Sequence, residues 1–291
     1  MWFWLALGSA ILGAIEVILS KKALEKVSPA LLSWSFFALT LPILISLTLL
    51  QGIPSFNLTF VLGVAGSSLF FVVARTIFND AIKNNLISQI LPLTAFSGIF
   101  TYIFGIAMLS ETLRLIPVVG LFTVIIGSYI LNVDQAKEDI FKPFKLLFKT
   151  KGSLLFLLAI FFGSITAILD KIGVQNTFPQ NPTFTVFSEQ LLQSALMTMY
   201  LFRSERKTWL PALRQNFNLL FLMSLIFLLV SLLIFYAYIN GGPVALVLGV
   251  KRLQIFFILI LGYIFLKDKP TKQSWIATTV MVLGVLLIKL G

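Results

Sequence analysis

"GAIEVILSKKAL", residues 13–24, and "GSITAILDKIGV", residues 163–174, carry one pattern in two copies. Gly13 falls on Gly163, Ile18 on Ile168 and Lys21 on Lys171. A second pair agrees with the first. Residues 102–131 set beside 259–288 place Gly105 on Gly262, Glu111 on Asp268 and Gly127 on Gly284, and bring Pro92 opposite Gly249 and Thr94 opposite Lys251. Internal similarity of this kind marks a duplicated architecture. It predicts a first repeat over 1–133, a connector over 134–152 and a second repeat over 153–291.

Composition says what each copy is made of. Of the 291 residues, 58% are hydrophobic and 11% charged, and the mean hydropathy is +1.00. A soluble domain carries roughly 45–50% apolar and about 25% charged residues, so a single water-soluble core does not fit. A span needs about 20 mostly apolar residues to cross ~30 Å of hydrocarbon. Ten segments qualify: 2–20, 30–50, 58–80, 86–109, 114–132, 153–173, 183–202, 217–239, 243–266 and 273–290. The first, with no basic residue ahead of it and no clear small-residue cleavage site, reads as a retained helix rather than a signal peptide. An odd number of spans per repeat turns the two copies over relative to each other in the membrane. The expected fold is an all-α integral membrane protein of ten transmembrane helices in two inverted five-helix repeats, in a bacterial inner (plasma) membrane. That arrangement belongs typically to secondary transporters.

The chain has no cysteine and no histidine. Disulfides and thiolate metal sites are thereby excluded, and the usual imidazole ligand and near-neutral proton carrier is missing. No metal site and no cofactor are expected. The net charge of +11 is spread over short loops beside hydrophobic spans, where lipid headgroups and insertion orientation account for it and nucleic acid is not needed. Loops after the odd spans hold 16 lysines and arginines, against 3 in the loops after the even spans and at the ends. The positive-inside rule then sets the odd loops in the cytoplasm and both termini outside. The connector interleaves Phe141, Phe144, Leu147 and Phe148 with Lys142, Lys145, Lys149 and Lys151, which reads as an amphipathic stretch on the lipid surface or as a solvated hinge.

Three cations lie inside spans: Arg75, Lys251 and Arg252. A charge at the bilayer centre costs at least ~2.5 kcal/mol on insertion scales, so such groups face a bundle interior or a wet cavity. Lys251 and Arg252 follow Pro243 by eight and nine residues, roughly 12–14 Å into the ninth span at 1.5 Å per residue. One reading is an anion clamp for carboxylate or phosphate, Arg supplying a planar fork and Lys a movable point charge. The other is a structural ion pair.

Further candidates are polar or deformable. Glu16 and Arg75 fall at similar depth in spans one and three and read as a gate or a buried bridge. Asp170, beside Lys171, is a second gate candidate or a helix terminus. Glu189 makes a stripe with Thr185 and Gln193 at helical spacing, either a helix contact or a carrier of coupling protons. Pro92 and Gly249 are candidate bending points, because proline removes a helical hydrogen bond at the Ser88 carbonyl and glycine bends at low cost. Thr94 and Tyr236 are candidate substrate contacts.

The ends of the fourth spans, "GIAMLSETL" and "GYIFLKDKP", together with the two five-span repeats, resemble the EamA-type branch of the drug/metabolite transporter superfamily. "GVKRLQIFF" is similar to the Lys-Arg pair in span nine of the sugar-phosphate and nucleotide-sugar transporters of that superfamily, where the cations bind phosphate. The resemblance implies a central cavity lined by spans one, three, four, six, eight and nine, reached by Glu16, Arg75, Thr94, Asp170, Tyr236, Lys251 and Arg252, with span seven more peripheral. The expected function is a secondary transporter or exchanger that moves a small, anionic metabolite among membrane lipids by alternating access. A proton-coupled amino-acid or drug exporter is the alternative; a flippase-like or receptor protein is the alternative from another class. No enzyme motif stands out.

Overall fold

Prolines and small polar caps set the helix boundaries. Ser28 accepts the Leu31 amide hydrogen at 3.1 Å ahead of Pro29, and Asn181 accepts that of Phe184 at 2.9 Å ahead of Pro182. Such residues satisfy donors that have no partner within the first turn, where proline lacks one anyway. The computed structural model describes residues 1–84, 91–133, 151–205, 208–266 and 271–291. Most of the connector (134–150), Ser88 and Asp268 lie outside the described residues.

The first half comprises α1 (Trp2–Leu24), α2 (Pro29–Ala38), α3 (Leu41–Gln51), β1 (Ser55–Phe56), α4 (Leu58–Asn84), a 3-10 turn over Leu91–Ala95, α5 (Phe96–Leu109) and α6 (Leu115–Val133). The second comprises α7 (Lys151–Gln175), β2 (Thr177–Phe178), α8 (Pro182–Ser204), α9 (Trp209–Gln215), α10 (Phe217–Ile239), α11 (Val244–Lys251), α12 (Gln254–Leu261), a π segment over Gly262–Leu266 and α13 (Lys272–Leu290). Each of the ten apolar segments of the sequence falls on helix in the described residues. Seven are long and apolar enough to cross a membrane, and two shorter apolar helices cover Leu93–Leu109 and Leu115–Leu131. The remaining one, α8, is 23 residues long and buries Thr185, Glu189, Gln190 and Gln193.

Two spans are interrupted. Span two breaks at Leu39–Thr40, where Pro42 has no amide hydrogen for the preceding turn and the Thr40 hydroxyl lies 3.2 Å from the Phe36 carbonyl. Span nine breaks at Arg252–Leu253. The shift that superposes Gly105 on Gly262 also superposes Ala95 on Arg252, so the 3-10 turn of span four ends where span nine breaks.

The chain folds as two compact units: Met1–Val72 with Leu169–Gly241, and Val73–Ile168 with Gly242–Gly291. Each unit takes segments from both halves of the sequence. In the first, α1 packs along α10, and α8 lies against α2 and α3. Its core joins Leu31, Phe36 and Phe37 to Leu201, Trp209 and Met223. Hydrogen bonds cross it, from Trp34 Nε1 to Thr198 Oγ1 at 2.7 Å and from Ser224 Oγ to the Ser35 carbonyl at 2.8 Å. Such bonds and close packing replace the missing hydrophobic drive in lipid. β1 and β2 pair antiparallel, Ser55 with Phe178 and Phe56 with Thr177.

In the second unit α6 lies along α13 with backbones touching. A Cβ placed on Gly120 would stand 2.6 Å from the Gly284 carbonyl oxygen, and one on Gly284 would stand 2.7 Å from that of Gly120. Only hydrogen fits at either position, which is how small residues draw membrane helices together.

Candidate functional site

Span nine brings its cations to a helix end, not to the middle of a continuous helix. Val244–Lys251 is a helix of eight residues with Lys251 in its last turn and Arg252 as its C-cap. The Arg252 amide bonds back to the carbonyls of Leu248 (3.1 Å) and Gly249 (3.2 Å), and the Leu253 amide to that of Val250 (3.0 Å), so the last turn tightens before α12 begins. Positive side chains are favoured at the negative end of a helix dipole. The break therefore lowers the cost of placing two cations within an apolar span.

Arg252 is held by a fork of bonds to spans four and five. Its Nη1 donates to Ser128 Oγ at 2.9 Å on α6; its Nη2 donates to the Thr94 carbonyl at 2.8 Å and to Ser97 Oγ. These three acceptors are neutral. They orient the guanidinium without cancelling its charge.

A cavity of about 320 Å³ opens beside it, lined by Thr94, Ser97, Ser128, Leu248, Lys251, Arg252, Gln254 and Ile255. Lys251 and Arg252 are both half-buried. The lining thus combines two cations, three hydroxyls, one amide and two apolar side chains, a set suited to a small anion with further polar groups. Thr94 and Lys251, opposite each other in the repeat alignment, both reach this cavity.

The other sequence-selected residues are distributed as follows. Pro92 lies within the 3-10 turn that precedes α5. Gly249 comes three residues before the break, and a Cβ there would meet Leu121 Cδ1 at 3.1 Å, so the position also serves close packing against α6. Arg75 is half-buried on α4, Glu16 half-buried on α1 and Tyr236 half-buried on α10. In the first unit, Asp170 on α7 accepts a hydrogen bond from Ser67 of α4 and lies near the side chain of Glu189 on α8. Glu189 is 5% exposed, and its Oε1 has no hydrogen-bond partner. Lys171, next to Asp170, is buried with its ammonium 6.0 Å from the centre of the Tyr238 ring. Among the described residues there is no group of three or more acids, histidines or cysteines that could hold a metal ion.

Ser97, Ser128 and Gln254 were not singled out from sequence. Ser97 lies one turn beyond Thr94, and Gln254 two residues beyond Arg252 in an otherwise apolar run; that spacing was the available signal. Ser128 follows Gly127 in span five, where nothing local points to Arg252.

A model of the EamA-like transporter family matches residues 1–133 and again residues 150–290. The chain belongs to this family. As an EamA-like transporter it is a membrane transporter of the drug/metabolite superfamily type, with two repeats. Comparison with curated proteins gives no match. A solved structure titled "Crystal structure of protein" is similar in fold, with a TM-score of 0.76 at 15% identity, covering 99% of this chain and 97% of that one.

Proposed function

We propose that this EamA-like transporter moves a small anionic metabolite, carrying a carboxylate or phosphate, by alternating access, and that the Lys251–Arg252 cavity binds it. The observation that carries the reading is Arg252 itself: a guanidinium oriented wholly by neutral acceptors beside an open cavity that also receives Lys251. A positive centre that keeps its charge in a weakly polar site attracts an anion more strongly than the same group in water. The coincidence of the break in span nine with the end of the 3-10 turn in span four supports movement at this site, since both segments already depart from regular helix. Uptake by Lys251→Glu and Arg252→Glu in proteoliposomes tests the reading. Both variants are expected to lose anion uptake while remaining folded, and normal uptake by both removes the clamp.

A second reading has one observation in its favour. The contact between Asp170 and Glu189 gives a proton a place to reside on the transporter, as a proton-coupled exporter requires. It predicts transport with a strong pH dependence that disappears in Glu189→Gln.

A further inference from the structure

Glu111 sits at the far end of α11 from the cations. Its carboxylate accepts the Val244 amide hydrogen, with Oε1 at 3.0 Å and Oε2 at 3.1 Å. Local features bring it there. Ser110 adopts a left-handed conformation with φ 52°, the Glu111 amide donates to the Gly105 carbonyl at 3.1 Å, and the chain so reverses at the end of α5. The carboxylate passes directly over Gly105, where a Cβ would stand 2.7 Å from Oε2.

Val244 is the first residue of α11, and the preceding Pro243 supplies no side-chain cap. A helix of two turns is marginal alone, and the amides of its first turn lack acceptors within the helix. Glu111 supplies the acceptor from elsewhere in the fold, with the sign of charge that the positive helix end favours. We propose that Glu111 is a positioning residue for the Lys251–Arg252 site: by fixing the start of α11 it fixes the direction in which both cations leave its end. Eight residues span about 12 Å, so a tilt of ~10° at Val244 displaces Lys251 by roughly 2 Å, enough to undo a hydrogen-bonded geometry. The proposal rests on the anion-site reading of the pair.

The absence of native cysteine makes Lys251→Cys a lone thiol in the full chain. In liposomes this thiol is labelled with methanethiosulfonates bearing either a sulfonate or a trimethylammonium group, each rate being corrected for its rate with a free thiol. With Arg252 still present, the sulfonate reagent is expected to be favoured at least tenfold. That ratio is expected to fall at least fivefold when Glu111→Ala is added, and to stay within twofold with Glu111→Gln, whose amide oxygen still accepts from Val244. Val244→Pro removes the donor instead, at a helix position that suits proline, and is expected to lower the ratio likewise even where Glu111→Ala fails to fold. A ratio that neither change lowers overturns the positioning role. A ratio near one in the Lys251→Cys parent overturns the anion-site reading first, and the positioning role with it.

Discussion

The Arg252 guanidinium donates to Ser128 Oγ at 2.9 Å, tying the break of span nine to the last third of span five. With its bonds to the Thr94 carbonyl and Ser97, this makes Arg252 a fastener as well as a charge.

Charge and geometry separate in Arg252→Lys. An ammonium preserves the charge but cannot present the planar fork, and hydrogen bonds to charged groups are each worth about 1.5–3 kcal/mol. We expect the thermal unfolding midpoint in detergent to drop clearly in Arg252→Lys and by a similar amount in Arg252→Met. A midpoint equal to wild type in the lysine variant shows that the fork contributes nothing to the fold.

Gly284→Val tests the contact of α6 and α13. Its side chain would meet the Gly120 carbonyl, so the helices must part; overpacking of this kind costs about 1–3 kcal/mol. Gly163→Ala is the control, because among the described residues nothing beyond its own helix backbone and chain neighbours lies within 4 Å of a Cβ there, and replacing a helical glycine in open space stabilises by up to ~1 kcal/mol. Thermal unfolding of the two variants is expected to move in opposite directions.

The ten spans were legible because twenty-residue apolar runs have few alternatives in a chain of this hydropathy, and the duplication was legible because Gly105, Glu111 and Gly127 recur in register. The breaks were less so. Pro42 marks the interruption of span two openly, whereas the one in span nine falls at Arg252–Leu253, where no proline stands and the cause is a set of bonds to residues more than 100 positions away. The pairing of β1 with β2 is two residues long and carries no periodic signal. Glu111 was visible as a recurrent acid, but its acceptance of the Val244 amide is a tertiary fact. Thr94 stands out in sequence as the residue opposite Lys251 in the repeat alignment, whereas the bond that Arg252 makes there, to its carbonyl, has no sequence signal.

Ser28 serves two partners, accepting from the Leu31 amide and donating to Glu205 Oε2 at 2.7 Å. Ser28→Ala is expected to destabilise by about 1 kcal/mol, the usual loss for such a cap. Combined with Glu205→Ala, the loss is expected to be smaller than the sum of the two single changes, since they share one hydrogen bond. Thermal unfolding of the four proteins measures this; strict additivity contradicts the shared bond.

Glu189→Gln replaces one acid of the pair by an amide of the same shape that carries no titratable proton. The anion-transport account expects the pH profile of uptake in proteoliposomes to keep its shape in this variant. A profile that becomes flat assigns the coupling proton to the Asp170–Glu189 pair and favours the proton-coupled exporter.

Ligand binding by the purified protein tests the proposed anion site most directly. Binding to the folded state raises the unfolding midpoint by mass action, so phosphorylated sugars, nucleotides, organic acids and amino acids are screened on wild type and on Lys251→Glu. The account predicts that at least one small anion stabilises the wild type and that its shift vanishes in Lys251→Glu. Stabilisation confined to neutral or cationic compounds, or an anion shift of equal size in Lys251→Glu, contradicts it.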